Sequence, residues 1–321
     1  MVGSEQGPRV LLSHGDGGSR TRDLLKEVFL PRFGNPDLDQ MDDAARVGPF
    51  LFTTDSFVVD PPFFPGGDIG KLAVFGTLND LWVSGAKPIC LSAAFIIEEG
   101  TPIADLKRIV DSMSEAAFSS GVKIVTGDTK VVPHGKGDGV FINTSGIGAL
   151  VEERRGPRKA LPGDMVLVSG PVGEHGLVIL ATRLGLPLGS LASDCGPVGP
   201  AVDRLFEAGV EVHMMRDPTR GGLASVLKEV AEQSSCDIRV REKDIPVGRE
   251  AKELADVLGV DPLYLPCEGR VVAFASPSAV PPGWTNVGFV EEGRGEVYLE
   301  TPYGGHRRLQ LFEGMPLPRI C

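Results

Sequence analysis

Residues 49–97 read PFLFTTDSFVVDPPFFPGGDIGKLAVFGTLNDLWVSGAKPICLSAAFII, and the folding of this stretch decides the class of the molecule. Its first eleven residues are rich in Phe, Thr and Val and have strand composition. Gly66-Gly67-Asp68 then opens a helix. Asp68 is suited to cap it, and Ile69, Leu72, Ala73 and Gly76 recur at helical spacing. Residues 88–97 return to strand composition. A strand, a helix and a strand in succession point to a layered α/β unit.

Working outward, residues 102–120 form the clearest amphipathic helix, with Ile103, Leu106, Ile109, Val110, Met113 and Ala117 on one face. Pro102 suits its first turn and Gly121 its stop. Strands are expected at 123–126 and 140–151. Residues 152–164, EERRGPRKALPGD, mix charge with Pro and Gly and read as a linker. Beyond it, strands at 165–169, 237–241, 271–275 and 298–300 alternate with helices at 175–184, 199–208 and 221–232. Toward the N-terminus, VLLSHGDGG (10–18) reads as a short strand entering a glycine-rich turn, followed by a helix at 21–30 and an acidic, turn-rich stretch at 34–43. The expected fold class is α/β (α+β), two mixed-sheet domains with a flexible C-terminal tail. The segments are 1–48, glycine-rich; 49–155, first domain; 156–305, second domain; and 306–321, tail.

Composition excludes several classes. The 321 residues carry 32 Lys and Arg against 43 Asp and Glu, a net charge of −11, so no nucleic-acid partner is expected. With 42% apolar residues the chain can bury substantial cores. No apolar run reaches membrane-spanning length, and MVGSEQGPRV lacks a signal core, so a cytoplasmic protein with no membrane partner is expected. Gly and Pro make up about a fifth of the chain, against roughly 12% on average, which suits many tight turns. The five cysteines, Cys90, Cys195, Cys236, Cys267 and Cys321, form no C-x-x-C pair, so neither zinc nor a disulfide framework is indicated.

Four features could carry chemistry. His14-Gly15-Asp16-Gly17-Gly18 is either an ordinary turn or a nest of backbone N–H groups for phosphate oxygens. Asp55, Asp80, Asp128 and Asp217 each follow a run expected to be buried, where an unpaired carboxylate is costly. One alone would be a cap or turn residue, whereas four suit Mg²⁺ bound to a nucleotide, which takes hard oxygen ligands. Lys130 shares a strand face with Asp128, and Glu268 in LPCEGRVV is a turn residue or a base. Cys321 is the last residue of the sequence, and a thiol on a tether can act as a nucleophile or carrier. The twelve steps from Leu309 give it a reach of about 40 Å; the alternative is a frayed terminus.

Together, TTDSFVVDPPFFPGGDIGKLAVFGTLNDLWVSGAKP, the GDTKVV run, RDPTRGGLASVLKEVA and the closing PRIC resemble the HypE family of hydrogenase maturation factors. The ND-x-x-x-x-GA-x-P and GDT elements are shared with the wider superfamily of aminoimidazole ribonucleotide synthetase, selenophosphate synthetase and thiamine-monophosphate kinase, and PRIC selects the member. The resemblance implies two domains of the aminoimidazole ribonucleotide synthetase type, the first binding ATP and pairing in a homodimer. It implies ATP-dependent dehydration of a carbamoyl group on Cys321, from thiocarboxamide to thiocyanate, supplying the cyanide ligand of the [NiFe]-hydrogenase iron. The implied partners are the carbamoyltransferase HypF as donor and the iron-carrying HypC–HypD complex as acceptor. The implied cofactors are ATP and Mg²⁺. Asp55, Asp80, Asp128 and Asp217 would hold the metal; His14, Gly15, Gly17, Gly18, Asn79, Asp80 and Thr129 would contact the nucleotide. Cys321, Glu268 and Lys130 would act on the thiocarboxamide, with Glu268 favoured as base. The competing readings are another ATP-dependent synthetase or small-molecule kinase of the superfamily, and a non-catalytic cysteine carrier.

Overall fold

The computed structural model describes residues 9–15, 17–154, 156–311 and 319–321. Helix α1 (Ser19–Leu24) continues through a π-helical stretch (Leu25–Phe29) into α2 (Leu30–Phe33). Next come β1 (Ala45–Val47), β2 (Phe50–Phe57), the short pair β3 (Phe63–Phe64) and β4 (Gly67–Asp68), and α3 (Ile69–Val83). These are followed by β5 (Ala86–Glu98), α4 (Ile103–Ser119), β6 (Lys123–Val132) and β7 (Val140–Leu150). The second half contains β8 (Met165–Val168), α5 (Glu174–Leu184), α6 (Gly199–Glu207), β9 (Val212–Arg216), α7 (Gly222–Ser234), β10 (Cys236–Arg241) and α8 (Arg249–Leu258). It ends with β11 (Val272–Ala275), β12 (Thr285–Glu292), β13 (Val297–Glu300) and β14 (His306–Arg308). Among the described residues no helix is long and apolar enough to cross a membrane.

The first sheet has the order β1-β2-β7-β5-β6, with β5 and β6 parallel and the other pairs antiparallel. Helix α3 is apolar nearly all round, and twelve of its fifteen residues are buried, as expected of a helix enclosed by protein. Asp68 caps it, accepting from the N–H groups of Gly70 and Lys71 at 2.8 and 2.9 Å. A Cβ at Gly70 would stand 2.3 Å from the Ile109 carbonyl oxygen, so glycine is what lets α3 and α4 approach so closely.

The second sheet has the order β14-β13-β10-β12-β8-β11-β9, with only β10 and β13 parallel. Both faces of β8 are buried: Val166 and Val168 pack toward Leu223, Leu227 and Val230 of α7, whereas Leu167 packs with Val202 and Leu205 of α6. That two-sided burial explains its unbroken run of apolar residues. A third core joins the halves, because Leu177, Val178 and Ile179 of α5 and Ala251 of α8 cluster with Ile69 and Leu72 of α3.

Local expectations change at several places. The described residues of 10–18 form no strand; Leu12–His14 make a 3₁₀ turn in which the His14 ring accepts from the Leu11 N–H at 2.8 Å. Val10, Leu11 and Leu12 are exposed, and among the described residues no strand pairs with them. Helix α8 and strand β12 were not anticipated, and neither were strands β1 and β9. Half of α8 is charged residues, and β12 carries a register shift between Asn286 and Gly288 in its pairing with β8. Residues 306–308, expected in the tail, pair with β13 and extend the second sheet.

Candidate active site

A cavity of about 270 Å³ is lined by Thr53, Asp55 and Phe57 of β2, Gly76 and Asp80 of α3, Asp43, Asp217, Arg220, Glu268 and Cys321. The strand period explains the first group. Leu51, Thr53 and Phe57 are buried on the face turned toward α3, and Asp55 shares that face. The Thr53 hydroxyl donates to Asp80 at 2.7 Å. Asp80 stands in the last turn of α3, where the helix dipole adds to the cost of a negative charge.

The electrostatics follow from this gathering of acids. Burial, with the nearby charges of Asp55, Asp217 and Asp43, holds the Asp80 carboxyl well above the usual range. Burial together with Asp43 and Asp55 raises Asp217 to about 8. The neighbouring cation Arg216 opposes this rise while paired with Asp43 and, at 3.2 Å, with Asp42. Among the described residues no three acids, histidines or cysteines converge as a ready metal site. The set nevertheless fits Mg²⁺, which commonly takes one or two carboxylates and completes its shell with water and substrate phosphates.

Glu268, also in the lining, is 2% exposed, and its Oε1 has no hydrogen-bond partner among the described residues. Burial, reinforced by Asp194 and Asp217 and opposed by Arg220, raises its carboxyl well above the usual range. Its backbone is firmly held: Asp194 accepts from the N–H groups of Glu268 and Gly269 at 3.1 and 3.2 Å. The Asn79 amide donates to the carbonyls of Glu268 and Gly196, both at 3.2 Å. Asn79 Oδ1 accepts from the Val198 N–H at 3.0 Å.

Cys321 reaches this cavity because residues 319–321 lie along the chain that leaves β2. The Val58 N–H donates to the Cys321 carbonyl at 3.0 Å, and the Asp60 N–H to that of Arg319 at 3.2 Å. The thiol lies 3.8 Å from Arg220 Nη1. Burial raises it to about 12, with Glu268 and Asp55 pushing the same way and Arg220 opposing.

The structure thus brings together Asp55, Asp80, Asp217, Glu268 and Cys321. It does not bring Asp128, Thr129 and Lys130 into the same cavity of the same chain. They lie on the exposed edge strand β6, where Lys130 and Asp128 pair at 2.7 Å with side chains 66% and 61% exposed. Asn79, expected against a nucleotide, is buried, and its amide is occupied by the backbone contacts above. His14, Gly15, Gly17 and Gly18 do not line the cavity, and Asp16 of that motif lies outside the described residues. Gly17 has φ +80°, and a Cβ there would come within 2.8 Å of the Arg220 Cβ, so the glycine loop rests on a residue of the cavity wall. Asp43, Thr53, Asp194 and Arg220 were not anticipated. Arg220 had a signal, three residues past Asp217 in RDPTRGG.

Comparison with known proteins supplies the family. Residues 41–150 match the AIR synthase related protein, N-terminal domain, and residues 162–281 match its C-terminal domain. A curated relative, carbamoyl dehydratase HypE of Rhodobacter capsulatus, is 46% identical over 334 residues, covering 98% of each chain. A crystal structure of the hydrogenase maturation protein HypE in complex with ATP superposes with a TM-score of 0.81 at 42% identity, covering 98% of this chain and 100% of that one. A crystal structure of a HypE–HypF complex gives 0.84 at 43% identity, covering 90% and 99%. The match extends across both domains, and the chain belongs to the HypE carbamoyl dehydratase family.

Proposed function

We propose that this protein dehydrates a carbamoyl group carried on Cys321, converting a thiocarboxamide to a thiocyanate with ATP as co-substrate, as a step toward the cyanide ligand of a [NiFe]-hydrogenase. The observation that carries the reading is the meeting of the Cys321 thiol with Asp55, Asp80, Asp217 and a Glu268 carboxyl whose Oε1 has no partner among the described residues, all in one cavity.

Water does not leave an amide readily, because oxide is a poor leaving group. The thiocarboxamide oxygen therefore attacks the γ-phosphorus of ATP and ADP departs. The C–O bond then breaks with its electrons going to phosphate, while the nitrogen gives up its protons and S–C≡N remains. Asp55, Asp80 and Asp217 would hold Mg²⁺, which when bound neutralises the phosphate charge. Arg220 adds a guanidinium beside the sulfur, suited to the charge that develops on the transferred phosphoryl group. Glu268 takes a proton from nitrogen. Its raised pKa makes it a stronger base than an exposed carboxylate, and Asn79 and Asp194 keep its backbone in place.

HypF is the carbamoyl donor and the HypC–HypD complex the cyanide acceptor on this reading. A homodimer accounts for the exposed edge strand β6, which presents Val125 and Val131, and for Phe50, Phe52 and Ile147 on the outer sheet face. An unpaired apolar edge invites a second chain. Asp128, Thr129 and Lys130 then contribute to the cavity of the second copy.

The test is mass spectrometry of the peptide ending in Cys321. Protein carbamoylated there and given Mg²⁺-ATP should lose the mass of one water at Cys321 and release ADP and phosphate. ADP formation with the carbamoyl group intact would refute the reading.

A further inference from the structure

The segment 319–321 is held by more than backbone pairing. We propose that His175 is the positioning residue for Cys321: its imidazole, set by Ser193, grips the Ile320 carbonyl and holds the thiol in the cavity. This rests on the reading of Cys321 as the residue that carries the reacting group, but its test reads the position of the segment and not turnover.

His175 stands in the first turn of α5 and is fully buried. Its Nε2 lies 2.7 Å from the carbonyl oxygen of Ile320, and its Nδ1 lies 2.8 Å from Ser193 Oγ. A carbonyl oxygen only accepts, so Nε2 carries the proton. Burial keeps the ring neutral, pulling its pKa below the ordinary value. Nδ1 is therefore an acceptor, and the Ser193 hydroxyl must donate to it. Ser193 is itself fixed: its N–H donates to the Pro65 carbonyl at 2.8 Å, and its Oγ accepts from the Cys195 N–H at 3.0 Å. Phe64 closes the ring in edge-on, with centroids 5.4 Å apart. Ser193 and Phe64 hold the ring's orientation, and the Ile320 carbonyl selects the tautomer with the proton on Nε2.

The consequence is directional. Ile320 is 3% exposed and joins the core that unites the two halves, and among the described residues its carbonyl is the acceptor Nε2 has. Withdrawing the segment strips a buried donor of its partner, which penalises departure. Arg183 reinforces the hold, donating to the Arg319 carbonyl and, at 2.5 Å, to that of Asp60. His175 reads main chain and not side chain, so it leaves the sulfur free for chemistry.

The experiment measures how fast iodoacetamide alkylates Cys321 in the full chain, followed by peptide mapping. The docked thiol, raised to about 12, reacts slowly. His175→Leu should accelerate Cys321 alkylation about tenfold. His175→Gln, whose amide can donate to the same carbonyl, should restore most of the protection. Ser193→Ala should give an intermediate rate, since the ring loses the group that sets its tautomer. Reaction at the buried Cys236, read in the same maps, reports any loss of fold. Equal Cys321 rates in all four proteins would overturn the assignment. So would wild-type protein reacting as fast as a free PRIC peptide, because the segment would then not be held at all.

Discussion

Replacing Asp217 by Asn tests whether the cavity is built around excess negative charge. Asp217 is 8% exposed, and burial together with Asp43 and Asp55 raises its carboxyl from 3.8 to about 8. Between those values the folded chain holds a proton that the unfolded chain releases. Its stabilising effect is therefore full below pH 3.8 and shrinks as pH rises toward 8. The slope is about 1.4 kcal/mol per pH unit, so about 3 to 4 kcal/mol is lost between pH 5 and pH 8. Asn is isosteric and does not titrate. The assay is urea unfolding with chelator present, followed by fluorescence of Trp82 and Trp284, at both pH values. Wild-type stability should fall by roughly 3 kcal/mol more than that of the variant. Asp217→Asn should then be the more stable protein at pH 8, although dehydration is lost. An equal pH dependence, or a variant less stable than wild type at pH 8, would refute the reasoning.

Three further outcomes are expected. Glu268→Gln should slow loss of water from carbamoylated Cys321 by about 100- to 10,000-fold, the usual span for a removed proton acceptor, with nucleotide affinity by calorimetry little changed. Asn79→Ala should lower thermal stability by about 2 to 4 kcal/mol, because the Gly196 and Glu268 carbonyls and the Val198 N–H lose their buried partner. Mixing Lys130→Ala with Cys321→Ser chains should restore about a quarter of wild-type activity, since only mixed dimers then hold an intact site. Activity at the level of the separate variants would place Lys130 outside the shared site.

Much of the scaffold was legible because it rests on local signals. The strand composition around Asp55, the capping carboxylate of Asp68 and the apolar face from Ile103 to Ala117 each report on their own few residues. Helix α8 was not legible: only Ala251 and Ala255 of its ten residues are buried, too sparse a face to stand out. The 10–18 segment misled for the opposite reason. Its apolar residues suggested a strand, but among the described residues no strand pairs with them.

The same division runs through the site. The chain's order alone determined which residue types would matter: acids after buried runs, a glycine loop, a lone Glu beside Cys267 and a cysteine at position 321. Each is a short-range pattern with chemistry in its side chain. Folding decided how they are grouped. Asp55 and Asp80 meet because α3 packs on β2, and Asp217 and Glu268 join the same lining from the second half of the chain. Asp128 and Lys130 look equivalent in the sequence yet stand on an open edge. His175 reveals its grip only where Ser193 and Ile320 converge on it from 18 and 145 residues away. Spacing along a chain constrains neighbours on one helix or strand, whereas contacts between elements depend on how separate cores seat against each other.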